Sequence, residues 1–417
     1  MIIKNFKKLA RTPERKIVLE IANAGLEAIS PEKVIKENIK LEKNILTIKN
    51  KTFDLGKIKN LYVVGIGKAA LESGKALEKI LKDKITKGII LDIKKAKLNY
   101  LESYQGDHPV PSEENLRISQ KIVELLTKAE KDDLVIILVS GGASALFELP
   151  WTLPIKKLQI MTRRLLKSGA DIYETNTVRK HISQVKGGGL AKIAWPAQII
   201  SIIFSDVPGN DLSFIASGPT VKDDTTKKDA RRIIQRYKLL KVKLVETPKE
   251  EKYFKNVENI LLLSGETAIR AMEQKAKELK VPSFVYSYAL RGEARIVGRK
   301  ILQRLPKEGI LLACGETTVT VEGKGKGGRN QELVLGTLPY LEKTVFVSLA
   351  SDGHDNTDAA GAVGDEESLK HSQSLNLNWH AYLDNNDSYN FFKKLDDLII
   401  TGETGTNVSD LIIIYKK

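Results

Sequence analysis

The hydrophobic positions fall into two rhythms. One is helical. Behind Thr12-Pro13-Glu14 (a capping threonine, a first-turn proline and an acid at the positive end of the dipole), Ile17, Val18, Ile21, Leu26 and Ile29 return at roughly helical spacing. Ser112-Glu113-Glu114 opens a second helix with Leu116, Ile122, Val123 and Leu126 inside, and Pro154 opens a third through Leu158, Met161 and Leu165. The other rhythm is a short, unbroken apolar run. Such a run suits a strand buried on both faces, as in a parallel sheet covered by helices. Seven of these runs end in a small or polar cluster: LYVVGIGKAA (61–70), LVIILVSGGASA (134–145), IISIIFSDVPGN (199–210), NILLLSGETAI (259–269), GILLACGETT (309–318), VFVSLASDGHD (345–355) and LIITGETGTN (398–407).

Ligands of open α/β sheets bind beyond the carboxyl ends of the strands, where turns and helix N-termini leave N–H groups free for anions. Seven such ends predict one large polar crevice in an α/β protein with a Rossmann-like parallel sheet. The charged stretch 241–255 (KVKLVETPKEEKYFK) lacks apolar periodicity and is the expected boundary. It divides the chain into a larger domain, 1–250, and a smaller one, 251–417, whose last strand is free to return to the first. The GKGKGG segment (323–328) reads as a flexible functional loop.

Composition narrows the classes. A chain of 417 residues, 42% hydrophobic and 29% charged, can bury cores in two or three domains. One cysteine, Cys314, excludes internal disulfides and cysteine-rich metal sites. The basic start, 1–16, lacks the apolar stretch of a signal peptide, and the longest apolar runs are strand-sized, so a cytoplasmic protein outside the membrane is expected. Lys+Arg is 67 against Asp+Glu 52, a net charge of +15. That excess attracts anions of any kind. A nucleic-acid-binding role rests on it alone, because the charge is scattered, aromatics make up 6% and no binding motif is present.

The strand ends carry the candidate chemistry. Gly65-Ile66-Gly67-Lys68-Ala69-Ala70 matches G-x-G-x-x-A, and Asp92 closes the next apolar run, which keeps a dinucleotide-dependent reductase open, with His108 or His181 as its acid. Lys68, however, falls where a helix N-terminus meets a bound phosphate, and a lysine there supplies a mobile point charge. Ser140-Gly141-Gly142-Ala143-Ser144 lacks the last glycine of a hydrolase elbow and reads as an N–H nest or a capped turn. Asn176, Arg179, Lys180, His181 and Lys186 fall on one predicted basic helix. It runs into Gly187, where the backbone can approach a ligand closely. Asp206 ends a strand ahead of Ser217-Gly218 and is a candidate base for a hydroxyl proton or an indirect magnesium ligand. Glu266 and Glu316 stand in the SGETAI and CGETT ends. Asp352, Asp355 and Asp358 cluster without EF-hand spacing, so a magnesium ion carried mainly by substrate phosphates fits better than a tight metal site. Arg329, with Asn330 after it, sits at the hinge of the glycine loop, placed to swing onto a phosphate.

In order along the chain, GIGKAA, DHPVPSEEN, LVSGGASALFELP, TVRKHISQVKGGGLA, SDVPGNDLSFIASGPT, GRNQELVLG, SDGHDNTDAAGAVGD and TGETGTNVSDL resemble the segments of the MOFRL-type (class II) glycerate kinases, from about residue 12 to the end. The resemblance implies ATP- and Mg²⁺-dependent phosphorylation of D-glycerate, usually at the 2-hydroxyl. It also implies a larger Rossmann-like α/β domain, a smaller α/β MOFRL domain and an interdomain cleft, with a homodimer as the expected assembly. It assigns catalysis to Lys68, Asp206 and Arg329. Substrate or nucleotide contacts are expected from Gly65, Gly67, Ser140, Gly141, Gly142, Ser144, Asn176, Arg179, Lys186, Gly187, Ser217, Gly218, Glu266, Glu316 and Asn330, and metal contacts from Asp352 and Asp355. Three departures stand out. The Asp352–Asp358 loop is one residue shorter than the family's, Asn210 and Leu212 replace a more usual Asp and Pro, and Glu403 takes a proline's place.

Overall fold

The computed structural model describes residues 1–207 and 209–417, which form two compact units. One comprises 34–205 and 210–262, the other 1–33, 206–209 and 263–417.

The first unit begins with a small antiparallel meander, β1 (Ile39–Glu42), β2 (Ile45–Ile48) and β3 (Lys51–Asp54). Its main sheet holds β4 (Leu61–Ile66), β5 (Lys87–Asp92), β6 (Glu102–Gln105), β7 (Leu134–Val139), β8 (Gln198–Phe204) and β9 (Val257–Leu263), in the order β6-β5-β4-β7-β8-β9. The pairs from β6 through β8 are parallel, and β7 is buried along its length, as its unbroken apolar run requires. From β4 the chain winds one way to β5 and β6; from β7 it winds the other way. The β4/β7 junction is therefore the sheet's topological switch point, where such sheets bind ligands.

The second unit's sheet holds β10 (Ser283–Glu293), β11 (Gly309–Thr318), β12 (Thr344–Ala350), β13 (Gly361–Gly364), β14 (Leu398–Ile399) and β15 (Asp410–Lys416), in the order β10-β11-β15-β12-β13-β14. Here the parallel expectation is corrected. β10 and β11 are parallel, but β11–β15, β15–β12, β12–β13 and β13–β14 are antiparallel. An unbroken apolar run reports burial on two faces, not strand direction. Ile412 and Ile414 join a core with Leu333 and Phe346, while Leu411 reaches the position of Gly25 in the helix Pro13–Ala28. The seven polar strand ends thus divide, four in the first sheet and three in the second.

The predicted boundaries also shift. The 241–255 stretch lies inside the first unit, with Val245 N–H donating to His181 O at 2.9 Å and Thr247 Oγ1 bonded to Asp223 Oδ2 at 3.0 Å. The last strand sits between β11 and β12 and does not return to the first sheet. The first 33 residues belong with the C-terminal sheet. The helix Pro13–Ala28 buries Arg15 completely, with Nε and Nη2 on Asp365 at 2.5 and 2.7 Å and Nη1 on Asp397 at 2.7 Å. A partner 350 positions away leaves no local pattern. Among the described residues, no helix is long and apolar enough to cross a membrane.

Candidate active site

At the switch point the β4 and β7 turns are sewn together. Ser140 N–H donates to Ile66 O at 3.0 Å, Lys68 N–H to Gly141 O at 2.9 Å, and Ala69 N–H to the Ser140 hydroxyl at 3.1 Å. The helix Ala70–Leu81 starts directly behind. Gly142 has φ +81°, and a Cβ there would lie 2.9 Å from Lys68 Cγ and 3.2 Å from His108 Cδ2. The Lys68 stem and the His108 ring therefore converge on this turn, and only glycine leaves room for both. Gly65 plays a different part, packing inside the sheet against Ile90.

Asp92, the acid of the dinucleotide reading, is buried. It accepts Leu71 N–H at 2.9 Å and Lys94 N–H at 3.3 Å, so both its oxygens serve backbone groups at the start of the Ala70–Leu81 helix and behind β5.

Around the turn lies an excess of positive charge. Among the described residues no carboxylate pairs with the Lys68 ammonium. Among the described residues the half-buried Arg179 guanidinium has no hydrogen-bond or ion-pair partner; burial pushes its pKa down, with Glu148 opposing. One oxygen of that Glu148 is already taken, while its Oε1 is buried with no partner among the described residues. Lys186, fully buried, holds its Oε2 at 2.9 Å and donates to Phe147 O at 2.8 Å. Lys186 is thus a structural ion-pair partner and not a ligand-facing cation. It also lies off the predicted basic helix, which ends at Ile182 because Ser183 turns extended and bridges to Pro150. Burial, and after it the charges of Lys68 and Arg179, pushes the His108 imidazole down to about 4, although the residue keeps a solvent-open face. It is neutral at neutral pH.

Asn176 stands one helical turn before Arg179. Its Oδ1 accepts the Ser217 hydroxyl at 2.6 Å, and Ser217 in turn meets the Ser144 hydroxyl at 3.2 Å. Its amide nitrogen is buried without a partner. Ala216, Ser217 and Gly218 are successive left-handed residues, with φ of 53°, 60° and 62°; for the first two this is strain of the kind that concentrates at functional sites. Gly187 approaches this segment, not a ligand, its N–H donating to Ser217 O at 2.9 Å.

The second unit carries a separate cluster. Arg329 opens the helix Arg329–Leu335, but it is not free to swing. Its Nε and Nη2 grip Asp410 at 2.6 and 2.9 Å, and Nη2 also meets Glu316 at 3.1 Å. Burial pushes Asp410 up to about 6 with Arg329 opposing. Burial also raises Glu316, with Asp206 and Asp352 adding to the shift, so these acids gather around one guanidinium. The Asp206 carbonyl accepts the Ser409 hydroxyl at 2.9 Å.

The glycine loop is anchored where flexibility was expected. Gly323 N–H donates to Asn386 Oδ1 at 2.9 Å, Gly325 N–H to Asn385 O at 2.9 Å and Lys326 N–H to Asp387 Oδ1 at 2.8 Å. A Cβ at Gly325 would lie 2.4 Å from that of Asp387, so the glycine serves close packing.

Asp355 is not available to a metal. It accepts the N–H groups of Asn330 and Gln331 at 3.1 and 2.9 Å, and both their side-chain amides at 3.2 and 3.0 Å. Burial, then Asp410, pushes it up to about 6. Asn330 is equally committed, also accepting the Ser348 hydroxyl. Asp352 accepts His354 N–H at 3.0 Å, and Glu266 pairs with Arg270 at 2.6 Å. Among the described residues no three His, Cys, Asp or Glu side chains are arranged to hold a metal ion.

Two residues escaped the sequence reading. Asp410 is an acid directly before the apolar run Leu411–Ile414, and Glu148 an acid inside an apolar turn; a charged group at such a position signals a buried partner. His108 was singled out only as a reductase acid.

Residues 17–247 match the family described as a domain of unknown function (DUF4147), and residues 309–410 match the MOFRL family. A "D-glycerate 2-kinase" of Thermotoga maritima is 37% identical, over 96% of this chain and 97% of its own length. A "Putative hydroxypyruvate reductase" of Agrobacterium vitis is 36% identical over 84% of this chain and 97% of its own. The crystal structure of the Thermotoga maritima glycerate kinase superposes with a TM-score of 0.86 at 36% identity, covering 96% of this chain and 99% of that one. With the switch-point lysine, the DUF4147 and MOFRL segments and near-complete coverage in hand, the chain belongs to the MOFRL-type glycerate kinases.

Proposed function

We propose that the protein transfers the γ-phosphoryl group of ATP to the 2-hydroxyl of D-glycerate, giving 2-phosphoglycerate. The observation that carries this reading is the pair of uncompensated cations, Lys68 and Arg179, at the switch point of the parallel sheet. Phosphoryl transfer is catalysed mainly by positioning and by charge aimed at the phosphoryl oxygens, and an unpaired lysine at a helix N-terminus suits that task.

In this reading Lys68 stabilises charge on the γ-phosphoryl oxygens. Arg329, held in orientation by Asp410, and Asp206 keep the catalytic roles that the family resemblance gives them, Asp206 as the group that would orient the glycerate hydroxyl or take its proton. Magnesium would neutralise phosphate charge. Asp352 is a hard oxygen donor that would suit it as a single protein ligand to an ion carried chiefly by phosphates. Asp355 does not suit it, its oxygens being filled. The reductase alternative is disfavoured by the use of Asp92 as a helix cap. Assembly as a homodimer belongs to the same proposal and is checked by light scattering.

The test is incubation with ATP, Mg²⁺ and D-glycerate, with NMR assignment of the phosphorylated carbon. 2-Phosphoglycerate is expected, and Lys68→Ala should lower kcat by orders of magnitude while leaving the melting temperature near that of the parent. NADH oxidation with hydroxypyruvate in place of phosphorylation, or near-normal turnover by Lys68→Ala, overturns the reading.

A further inference from the structure

We propose that Arg179, with the buried amide of Asn176 beside it, holds the carboxylate of the acceptor and makes this site selective for small 2-hydroxy acids over uncharged polyols; the proposal rests on the kinase reading above.

Charge matching leads there. Lys186 is cancelled by Glu148, and His108 is neutral. Of the cations gathered at the switch-point turn, Arg179 and Lys68 are left without a carboxylate among the described residues. They differ in shape. A guanidinium presents a planar fork that fits a carboxylate with two parallel hydrogen bonds, whereas an ammonium is a point charge suited to a phosphoryl group. A half-buried guanidinium without any partner is costly to maintain unless an anion completes it. One turn earlier on the same helix face, the Asn176 amide nitrogen is also buried and unpartnered, and it offers N–H donors to the same anion.

His108 lies within electrostatic reach of both cations, and its ring nitrogens have no hydrogen-bond partner among the described residues. In a 2-hydroxy acid, the hydroxyl is the group between the carboxylate and the incoming phosphoryl. A neutral imidazole at the Gly142 turn, within reach of both cations, can hydrogen-bond that hydroxyl.

The experiment pairs calorimetric titration of D-glycerate, without nucleotide, with steady-state kinetics. Arg179→Ala should weaken D-glycerate binding by about 100-fold or more, since a site built to pair a polar group loses most when that pairing is broken. Its KM for D-glycerate should rise in step while the KM for ATP stays put, and added guanidinium should restore part of the loss. Discrimination between D-glycerate and glycerol should collapse. Arg179→Lys keeps the charge without the fork and should lose about tenfold at an unchanged melting temperature. Parental D-glycerate affinity in Arg179→Ala overturns the proposal. So does a rise in the KM for ATP alone, which would assign Arg179 to the nucleotide phosphates. A parent protein that binds D-glycerate without phosphorylating it would sink the kinase reading and keep the carboxylate site. One that phosphorylates D-glycerate with Arg179→Ala unimpaired would do the reverse.

Discussion

Replacing Lys186 by methionine tests the charge balance of the first unit most directly. Lys186 and Glu148 are 1% and 4% exposed and meet at 2.9 Å, and the same ammonium satisfies Phe147 O at 2.8 Å. Removing one member of a buried pair leaves an uncompensated charge and costs about 3–5 kcal/mol. Arg179 feels the charge of Glu148, so it would turn toward that carboxylate and hold the loss to about 3 kcal/mol, more than 100-fold in the unfolding equilibrium. The reverse variant, Glu148→Gln, should cost less, about 1–2 kcal/mol. Burial already lowers the Lys186 pKa, and without Glu148 the amine can shed its proton and become neutral. The double variant removes both charges and should return to within about 1 kcal/mol of the parent. Urea unfolding read through Trp151 and Trp195, both in this unit, supplies the double-mutant cycle. The same cycle has a functional arm: capture of Arg179 by Glu148 should raise the D-glycerate KM of Lys186→Met, and the double variant should restore it. A Lys186→Met protein within 1 kcal/mol of the parent, or a double variant no more stable than Lys186→Met, would refute the reasoning.

Gly142→Ala forces a side chain into a left-handed residue at a cost of about 1–2 kcal/mol. It also displaces the Lys68 stem 2.9 Å away, so kcat should fall more than tenfold with only a modest drop in melting temperature. Arg15→Ala strands Asp365 and Asp397 in the second unit; because Arg11 also pairs with Asp397, the loss should sit toward the low end of about 3–5 kcal/mol, read by Trp379 fluorescence during unfolding. His108 titrates near 4 in the folded protein against an ordinary 6.5, so the unfolded chain binds more protons between those values. Its contribution is present above about pH 6.5 and is lost as the pH falls to about 4. His108→Asn should flatten that part of the acid limb of a stability–pH curve, and an unchanged slope would count against the burial of the imidazole.

What the sequence made legible was local. Unbroken apolar runs located β4, β7, β8 and β12, and the glycine turns behind β4 and β7 put Lys68 at the right end of a strand. Strand direction in the second sheet was illegible, because two-faced burial writes the same run for parallel and antiparallel neighbours. Ion-pair partners were illegible for a different reason. Arg329 reads as a mobile cation until Asp410, 81 positions later, is seen to grip it. Lys186 reads as a ligand contact until Glu148 is found beneath it. In both cases the sequence displays the charge but not the distant group that neutralises it.

The assignment of residues 1–33 to the C-terminal unit has a consequence for biosynthesis. The helix Pro13–Ala28 leaves the ribosome well before its partners, the helix Gly265–Glu278 and, later still, β15. At roughly 5–20 residues per second, its oily stripe of Val18, Leu19, Ile21 and Leu26 waits roughly 20–80 s for that strand. During that interval the nascent chain carries a ready-made docking segment for chaperones, and the second unit cannot close until β15 has emerged.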